Sequence, residues 1–358
     1  MTDLPTVDPP ASPGEAWRVC VLGGGGFLGS HLVAALLEQT PHRVEVVDQE
    51  LAKLTTHSDR LVCRRESIES PGLLDQVTRD NQVIISTTAL CNPSQYNTRP
   101  ADVIHASFSH LVPLVDLCTQ QNRRLIHFST CEVYGRGEGE NGAARKMSEE
   151  DTPLVLGPVS MERWSYACAK QLLERLIWAK VQHDGLSATI VRPFNVIGPR
   201  MDYLPGLDGE GIPRVVACFM RALLFGEPLT LVGGGRNRRS FLYVSDFVQG
   251  VLRILARPEA CDGQIINLGN PAIDIPIREL AERMADCYRS LVSEAEPVRF
   301  RSVGPDDFYG PGYDDSPRRI PDIAKAERLL GWTPTTTLDE MLPPIIRDYI
   351  AHYGRENR

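Results

Sequence analysis

Val19-Cys20-Val21-Leu22-Gly23-Gly24-Gly25-Gly26-Phe27-Leu28-Gly29 is the stretch that decides the fold. Its first four residues are apolar and predict a buried strand. Apolar residues then recur at positions 28, 32, 35 and 36, which is the spacing of a helix. A strand, a glycine-rich turn and a helix in immediate succession are typical of a dinucleotide-binding unit.

The glycines of this turn predict how a dinucleotide would be held. Gly23 permits the tight turn, Gly26 lets the backbone approach a pyrophosphate, and Gly29 allows the helix to pack closely on the strand. Asp48, at the end of the next strand, can accept a hydrogen bond from the adenosine 2′-hydroxyl and would repel a 2′-phosphate, so NAD is favoured over NADP. The predicted cofactor contacts are Gly23, Gly26, Phe27, Leu28, Gly29, Asp48 and Ile68, together with Tyr166 and Lys170.

The alternation of strands and helices continues after this unit. Apolar runs at 43–48, 83–86, 125–128 and 188–191 predict strands, and periodic patterns at 104–118 and 160–183 predict helices. We therefore predict an α/β fold: a Rossmann-type doubly wound parallel sheet with a smaller C-terminal α/β substrate-binding lobe. The predicted divisions are a disordered leader (1–15), a Rossmann domain (16–195, with a return segment 236–268) and the lobe (196–235 and 269–350). The aperiodic stretches 199–213 and 295–321 are predicted to be loops of the lobe.

Composition excludes several classes of function. The net charge of −8 gives no reason to expect nucleic acid or an anionic membrane as a partner. No apolar run approaches the roughly 18 residues needed to cross a bilayer. Nine cysteines without a C-x-x-C pair indicate reduced thiols and a cytoplasmic protein, and those at 118, 168 and 218 read as small buried apolar residues. The histidines show no metal-ligand spacing.

Tyr166 and Lys170 are the first catalytic candidates. Four residues apart on a helix, they lie on one face, which places an ammonium group beside a phenol. The ammonium favours the phenolate, so the tyrosine can act as a base nearer to neutral pH. The hydroxyl of Thr130, from a strand end, can complete a proton-handling trio. Together with the glycine-rich loop, the trio predicts hydride chemistry on an alcohol.

Six further motifs carry a resemblance to a known family. They are Cys91–Pro100, Ser129–Gly135, Arg163–Gln171, Arg192–Asn195, Gly198–Asp202, and Tyr309–Asp315 with Arg318 and Arg319. On these motifs the chain resembles the extended short-chain dehydrogenase/reductases, within them the UDP-glucuronate decarboxylases, and most of all the UDP-apiose/UDP-xylose synthases. The similarity runs from position 19 to position 334, and the combination of Cys91, Cys131-Glu132 and Arg319 is narrow.

The resemblance implies a homodimer that uses NAD and acts on UDP-glucuronate to give UDP-pentoses. It implies that Tyr166 and Thr130 act at the C4 hydroxyl, that Arg319 lies near the sugar carboxylate, and that Glu132 orients the sugar and relays protons. Cys91 and Cys131 are the candidate weak acids for ring contraction to the branched sugar apiose. The implied substrate contacts are Tyr96, Arg163, Asn195, Arg214, Arg239, Tyr313 and Asp315.

Other functions and roles stay open on the sequence. Direct return of hydride to the 4-keto pentose would make the chain a simple UDP-xylose synthase, and release of that ketone would make it an oxidative decarboxylase. A non-catalytic NAD-sensing regulator is a further alternative. Cys91 and Cys131 could be buried apolar residues, Glu132 a structural ion-pair partner and Arg319 a solvated charge. Cys131 argues against a dehydratase, because the 4,6-dehydratases have an aspartate at this position.

Overall fold

Parallel β-strands form the centre of the molecule. The structure, a computed structural model, describes residues 16–90, 93–136, 146–209, 211–293, 297–310 and 314–354. The strands are β1 (Arg18–Leu22), β2 (Arg43–Asp48), β3 (Leu61–Arg65), β4 (Val83–Ser86), β5 (Arg124–Phe128), β6 (Lys146–Met147), β7 (Ala188–Pro193), β8 (Val196–Ile197), β9 (Leu229–Val232), β10 (Arg238–Ser240), β11 (Leu242–Tyr243), β12 (Gln264–Leu268), β13 (Asp274–Pro276), β14 (Phe300–Val303) and β15 (Arg318–Pro321).

Helices connect these strands. They are α1 (Phe27–Gln39), α2 (Leu73–Asp80), α3 (Pro93–Thr98), α4 (Pro100–Ser107), α5 (Val112–Gln120), α6 (Ser165–Asp184), α7 (Val215–Phe225), α8 (Val244–Leu255), α9 (Pro258–Cys261), α10 (Ile277–Leu291), α11 (Pro305–Tyr309), α12 (Ala324–Leu330) and α13 (Leu338–Tyr353). Short 3₁₀ turns precede α5 and α6 and follow β5.

The seven-stranded sheet has the order β12-β7-β5-β4-β1-β2-β3, and all its neighbouring strands are parallel. Successive residues of β1 face opposite sides: Val19 and Val21 belong to a core shared with α1 and α8, and Cys20 and Leu22 to a core shared with α2, α5 and α6. Because both faces are covered by helices, the central strands β1 and β4 are mostly apolar and buried. The predicted doubly wound parallel sheet is confirmed.

A second group of elements lies beyond the carboxyl ends of these strands. Here β13, β10, β15 and β6 form a four-stranded sheet, β9 pairs with β14, and α7, α10 and α13 pack on one another. β12 returns to the edge of the large sheet beside β7. The proposed domain boundaries stay a prediction. Loops at these carboxyl ends lie between the large sheet and the second group of elements, which is where a parallel sheet of this kind binds ligands.

Three local predictions are wrong. The pattern at 104–118 is not one helix: α4 ends at Ser107 and α5 begins at Val112, because Pro113 lacks an N–H and its ring clashes with the preceding turn. The stretch 295–321, expected to be loop, contains β14, α11 and β15 among its described residues. Cys118 is buried as expected, but Cys168 is exposed. The first 15 residues lie outside the described part of the chain.

Candidate active site

One cavity of about 540 Å³ collects most of the predicted site residues. It opens where the carboxyl ends of β4, β5 and β7 face the second group of elements. The predicted residues that line it are Leu28, Tyr96, Thr130, Cys131, Glu132, Arg163, Tyr166, Lys170, Asn195, Arg214, Arg239, Asp315 and Arg319. Cys91 and Tyr313 lie outside the described residues. Residues far apart in sequence therefore share one chamber.

The glycine-rich loop between β1 and α1 leads into Leu28, which lines this cavity, and at Gly23 and Gly29 it leaves no room for a side chain. Gly23 has φ +83°, and a Cβ there would lie 2.5 Å from the Thr87 hydroxyl oxygen. A Cβ on Gly29 would lie 2.2 Å from the Gly23 carbonyl oxygen. A Cβ on Gly26 would meet a single neighbour, the Gly23 carbonyl oxygen at 3.3 Å, so this position is less crowded than the other two. The loop and the N-terminus of α1 suit a pyrophosphate.

Asp48 and Ile68 lie at the ends of the neighbouring strands. The Asp48 carboxylate accepts a hydrogen bond from the Gly25 N–H at 2.9 Å, so it holds the glycine-rich loop as well as offering oxygens to a ribose. Ile68 is partly buried and packs on the core next to β1. These positions fit the adenosine half of a dinucleotide.

Tyr166 and Lys170 face the cavity from the first two turns of α6. The Tyr166 side chain is 5% exposed, and its ring stacks on that of Tyr96 with centroids 5.0 Å apart. The Lys170 ammonium donates to the Phe128 carbonyl at 2.9 Å, which fixes it at the end of β5. Thr130, at the end of the same strand, is buried at the cavity wall. The predicted trio therefore converges from two elements.

His127 is a neighbour of Lys170 that the sequence reasoning missed. Its Nε2 lies 3.5 Å from the Lys170 Nζ, and the ring is buried. Burial and the adjacent ammonium hold the pKa of His127 well below its usual range, so the ring is neutral. Only its place one residue before Phe128, in an otherwise apolar strand, could have indicated it.

A group that we call the arginine–carboxylate cluster forms one wall; it consists of Glu132, Asp315, Arg163, Arg239 and Arg319. Arg163 donates to both Glu132 oxygens, at 2.6 and 3.1 Å, and lies 3.5 Å from Asp315. Arg319 lies 3.4 Å from Glu132 and 3.0 Å from Asp315, and Arg239 also binds Asp315. All five side chains are at most 17% exposed.

The electrostatics of this cluster favour an anion. Burial alone would raise the pKa of Glu132, but Arg163 and Arg319 outweigh it and lower that pKa. Asp315 behaves in the same way: burial raises its pKa, but three arginines lower that pKa by more, so it lies below the usual value. Three cations against two ionised carboxylates leave one positive charge, and the Arg319 Nε has no hydrogen-bond partner within the described residues. A buried donor of this kind suits an incoming carboxylate or phosphate.

Cys131 lies beside this cluster as a neutral thiol. Its side chain is 4% exposed and packs with Val133, Tyr134 and Phe194. Burial raises the pKa of Cys131, and the opposing effect of Arg319 does not cancel it. The thiol can therefore give up a proton to a base in the cavity, but it is not a standing thiolate.

Arg214 and Asn195 also line the cavity. Arg214 donates to both oxygens of Asp202, at 2.9 and 2.8 Å, and its guanidinium lies 5.5 Å from the Phe27 ring centroid. Burial would raise the pKa of Asp202, but Arg214 lowers it, so the pair is ionised. The Asn195 amide donates to the Ser240 carbonyl at 3.0 Å. Asp202, the last residue of a quoted motif, is a second residue whose positioning role the sequence reasoning missed.

Neither a metal site nor a membrane-spanning helix is found among the described residues. They contain no group of three or more His, Cys, Asp or Glu side chains that could hold a metal ion. Within the same part of the chain, no helix combines the length and apolar character that a bilayer span requires.

Comparisons with known proteins agree with this geometry. Residues 19–269 match the NAD dependent epimerase/dehydratase family. The chain is 43% identical to UDP-D-apiose/UDP-D-xylose synthase 1 of Arabidopsis thaliana, over 94% of this chain and 92% of the relative. It is 42% identical to the UDP-D-apiose/UDP-D-xylose synthase of Oryza sativa subsp. japonica, over 94% and 90%. Among solved structures, the PbgP3 protein from Burkholderia pseudomallei superposes with a TM-score of 0.83 at 30% identity, covering 94% of this chain and 97% of that one. The chain therefore belongs to the NAD dependent epimerase/dehydratase family, and within it to the group of the UDP-apiose/UDP-xylose synthases.

Proposed function

We propose that this chain decarboxylates UDP-glucuronate and converts the product into UDP-apiose and UDP-xylose, with NAD as its cofactor. The observation that carries the proposal is the buried thiol of Cys131, which shares one cavity with Glu132, Tyr166 and Lys170. The two plant relatives, at 42–43% identity over nearly the whole chain, bear the names of synthases of these two sugars.

NAD fits the glycine-rich loop described above, and when bound it takes up a hydride and later returns it. The backbone around Gly26 and the N-terminus of α1 would hold its pyrophosphate, and Asp48 its adenosine ribose. Phe27, Leu28, Gly29 and Ile68 would complete that side. The side chains of the protein then have to transfer protons, stabilise the charge that develops and position the sugar.

The first proton to move is that of the C4 hydroxyl. Tyr166 takes it, and Thr130 hydrogen-bonds the same oxygen. Lys170, held by the Phe128 carbonyl, keeps positive charge beside the phenolate throughout. The ketone that results at C4 is β to the carboxylate, so the bond to CO₂ can break and its electrons pass into an enolate. The groups that already face the C4 oxygen stabilise that negative charge.

Arg319 and Glu132 act at the other face of the sugar. The unpartnered Nε of Arg319 would receive the carboxylate before it departs. Glu132, kept ionised by Arg163 and Arg319, can accept a hydrogen bond from a sugar hydroxyl and relay its proton. Arg163 is hydrogen-bonded to Glu132, so we propose that it also acts on the sugar indirectly, by holding that carboxylate in place.

The branch to apiose requires proton transfers that decarboxylation alone does not need. The 4-keto pentose breaks between C2 and C3 by a retro-aldol step, and re-closure at a new carbon contracts the ring. Each of these steps moves a proton on or off oxygen or carbon. Cys131 is a weak acid within reach of the cavity for such a transfer, and Cys91 is proposed for the same task from the resemblance.

The nucleotide half needs cations and a flat wall. Arg214, preset by its fork with Asp202, and Arg239 are proposed for the diphosphate, with Asn195 beside them. Tyr313 is proposed to stack on uracil, Asp315 to contact the ligand from within the arginine–carboxylate cluster, and Tyr96 to contact the sugar.

We also propose a homodimer. Ile104 on α4 and Leu172 and Trp178 on α6 are 40–49% exposed, and these two helices pack on each other. An apolar surface of this kind suits a second copy of the chain. Light scattering after size-exclusion chromatography should give twice the monomer mass, and Trp178→Glu should reduce it; a monomeric wild type would refute the dimer.

A cytoplasmic location is proposed from the eight described cysteines, none of which is in a disulfide.

The test of function is a product assay. Purified protein is incubated with UDP-glucuronate and a catalytic amount of NAD, and the products are identified by NMR. UDP-apiose together with UDP-xylose is the expected result. UDP-xylose alone would identify a simple UDP-xylose synthase, and the 4-keto pentose with stoichiometric NADH an oxidative decarboxylase. Calorimetric binding of NAD without binding of any UDP-sugar would identify an NAD-sensing regulator instead.

A further inference from the structure

Glu174 continues the row that Tyr166 and Lys170 begin on α6. The three residues are spaced by four and are buried, at 5%, 1% and 3% exposure. Tyr166 and Lys170 line the cavity, whereas Glu174 does not. Its two oxygens instead accept hydrogen bonds from the Arg192 guanidinium, at 3.0 and 2.6 Å, in a fork that almost no solvent reaches.

Arg192 connects this helix to the loop that follows β5. Its guanidinium carbon lies 4.8 Å from the centroid of the Tyr134 ring. Tyr134 belongs to the same 3₁₀ turn as Cys131 and Glu132, and its hydroxyl donates to Asn267 on β12 at 2.8 Å. Arg192 itself lies on β7. The two segments that carry Tyr166 with Lys170 and Cys131 with Glu132 therefore meet at one buried guanidinium, which a third segment, β7, supplies.

A second bond ties the same two segments. The Gln171 side-chain amide donates to the Val133 carbonyl at 2.7 Å. The helix bearing Tyr166 and Lys170 and the turn bearing Cys131 and Glu132 are thus joined at two points, one of them through Arg192. Neither joint lies in the cavity.

Stability alone does not explain this arrangement. A buried ion pair loses in desolvation much of what it gains in attraction, and well-packed apolar residues of similar volume are often as stable. A bidentate fork, however, fixes both distance and orientation. Catalytic groups must be held to within about 0.5 Å, and a displacement of about 1 Å can cost a hundredfold in rate.

We infer that Arg192 and Glu174 are positioning residues that set the separation between the Tyr166–Lys170 row and the Thr130–Glu132 segment. The inference rests on the proposed function only for its kinetic consequences. Formation of apiose needs groups from both segments in succession, so it should suffer more than formation of xylose when the joint is loosened.

Two variants separate positioning from folding. Arg192→Lys keeps the buried charge but cannot form the fork, and the double variant Glu174→Met/Arg192→Met removes both charges with similar volume. The matched control is Arg124→Lys, which breaks a buried contact with Asp262 at the opposite end of β5, away from the cavity. Each protein is measured for thermal unfolding, kcat, KM and the ratio of apiose to xylose.

We expect kcat to fall about tenfold or more in both Arg192 variants, with KM within about twofold of wild type and a lower apiose share. Arg124→Lys should lower the unfolding temperature but leave kcat and the product ratio unchanged. Wild-type kcat and product ratio in both Arg192 variants would overturn the inference, and so would an equal loss in the control.

Crystal structures decide the same point without a substrate. The distance between the Tyr166 hydroxyl and the Thr130 hydroxyl should change by about 0.5 Å or more in Arg192→Lys relative to wild type. An unchanged distance would overturn the positioning role. Absence of CO₂ release by the wild-type protein would instead refute the proposed function, and the crystallographic comparison would still stand.

Discussion

Replacing Arg319 by methionine should weaken binding of UDP-glucuronate far more than binding of UDP-xylose. The two ligands share the nucleotide, and only the first carries the carboxylate that the unpartnered Arg319 Nε is proposed to receive. The substitution takes the arginine–carboxylate cluster from one net positive charge to none. Glu132 keeps its two bonds to Arg163, and Asp315 keeps its bond to Arg239, so neither carboxylate is stranded.

The magnitude follows from the bonds lost. Hydrogen bonds to a charged partner contribute about 1.5–3 kcal/mol, which corresponds to about a 10- to 150-fold weaker dissociation constant for UDP-glucuronate. For UDP-xylose we expect a change within about threefold. Arg319→Lys should fall between the two, because it keeps the charge but not the planar fork.

Calorimetry in a Tyr166→Phe background measures both ligands without turnover. Arg214→Met serves as the control, because Arg214 lies outside the arginine–carboxylate cluster and loss of a contact to the diphosphate should weaken both ligands by the same factor. If Arg319→Met also weakened both equally, the proposed carboxylate contact would be wrong, and Arg319 would act by holding the cavity together.

Four further predictions concern single groups. Tyr166→Phe should lower the rate of CO₂ release by about 10²- to 10⁴-fold, as measured with carboxyl-labelled substrate, and an unchanged rate would exclude the phenol as the base. Asp48→Ala should reduce the preference for NAD over NADP by about tenfold or more in dissociation constants; an unaltered preference would place the ribose elsewhere. At pH 8, iodoacetamide should modify Cys131 well after the exposed Cys168, because burial raises the pKa of Cys131, and peptide mapping with equal rates would contradict this. The arginines around Asp315 lower its pKa by more than burial raises it, so the ionised carboxylate stabilises the fold above the ordinary pKa of about 3.9 and this contribution is lost as the pH falls. Between pH 5 and pH 3 the urea midpoint should therefore drop less in Asp315→Asn than in the wild type. Parallel curves for the two proteins would refute this.

Local sequence patterns were sufficient to predict the elements at the start of the fold. The strand, glycine loop and helix at 19–39 depend on neighbours in sequence, and so does the four-residue spacing of Tyr166 and Lys170. The prediction of one helix over 104–118 was wrong, although Pro113 in the same stretch is a local signal against a continuous helix. The strands β14 and β15 could not be predicted from local pattern, because each pairs with a partner more than 70 residues away. Short strands of this kind take their stability from that pairing rather than from their own sequence.

The site residues can be divided in the same way, into those that a local motif indicates and those that only the fold brings together. Thr130, Cys131 and Glu132 are adjacent in the chain, so one motif indicates all three. Asp315 and Arg319 are four residues apart, but the other bonds of the arginine–carboxylate cluster join distant elements, so no local spacing reveals them. His127 and Asp202 act through another side chain instead of through a ligand, and such indirect roles leave no motif of their own.

The stacked rings of Tyr96 and Tyr166 give the proposed catalytic base an optical signal. Two phenols 5.0 Å apart and inclined by 11° couple their electronic transitions when excited. Any rearrangement that parts them changes the near-ultraviolet dichroism of the protein. Closure around a sugar, or its failure in a variant, could then be followed in real time without a label.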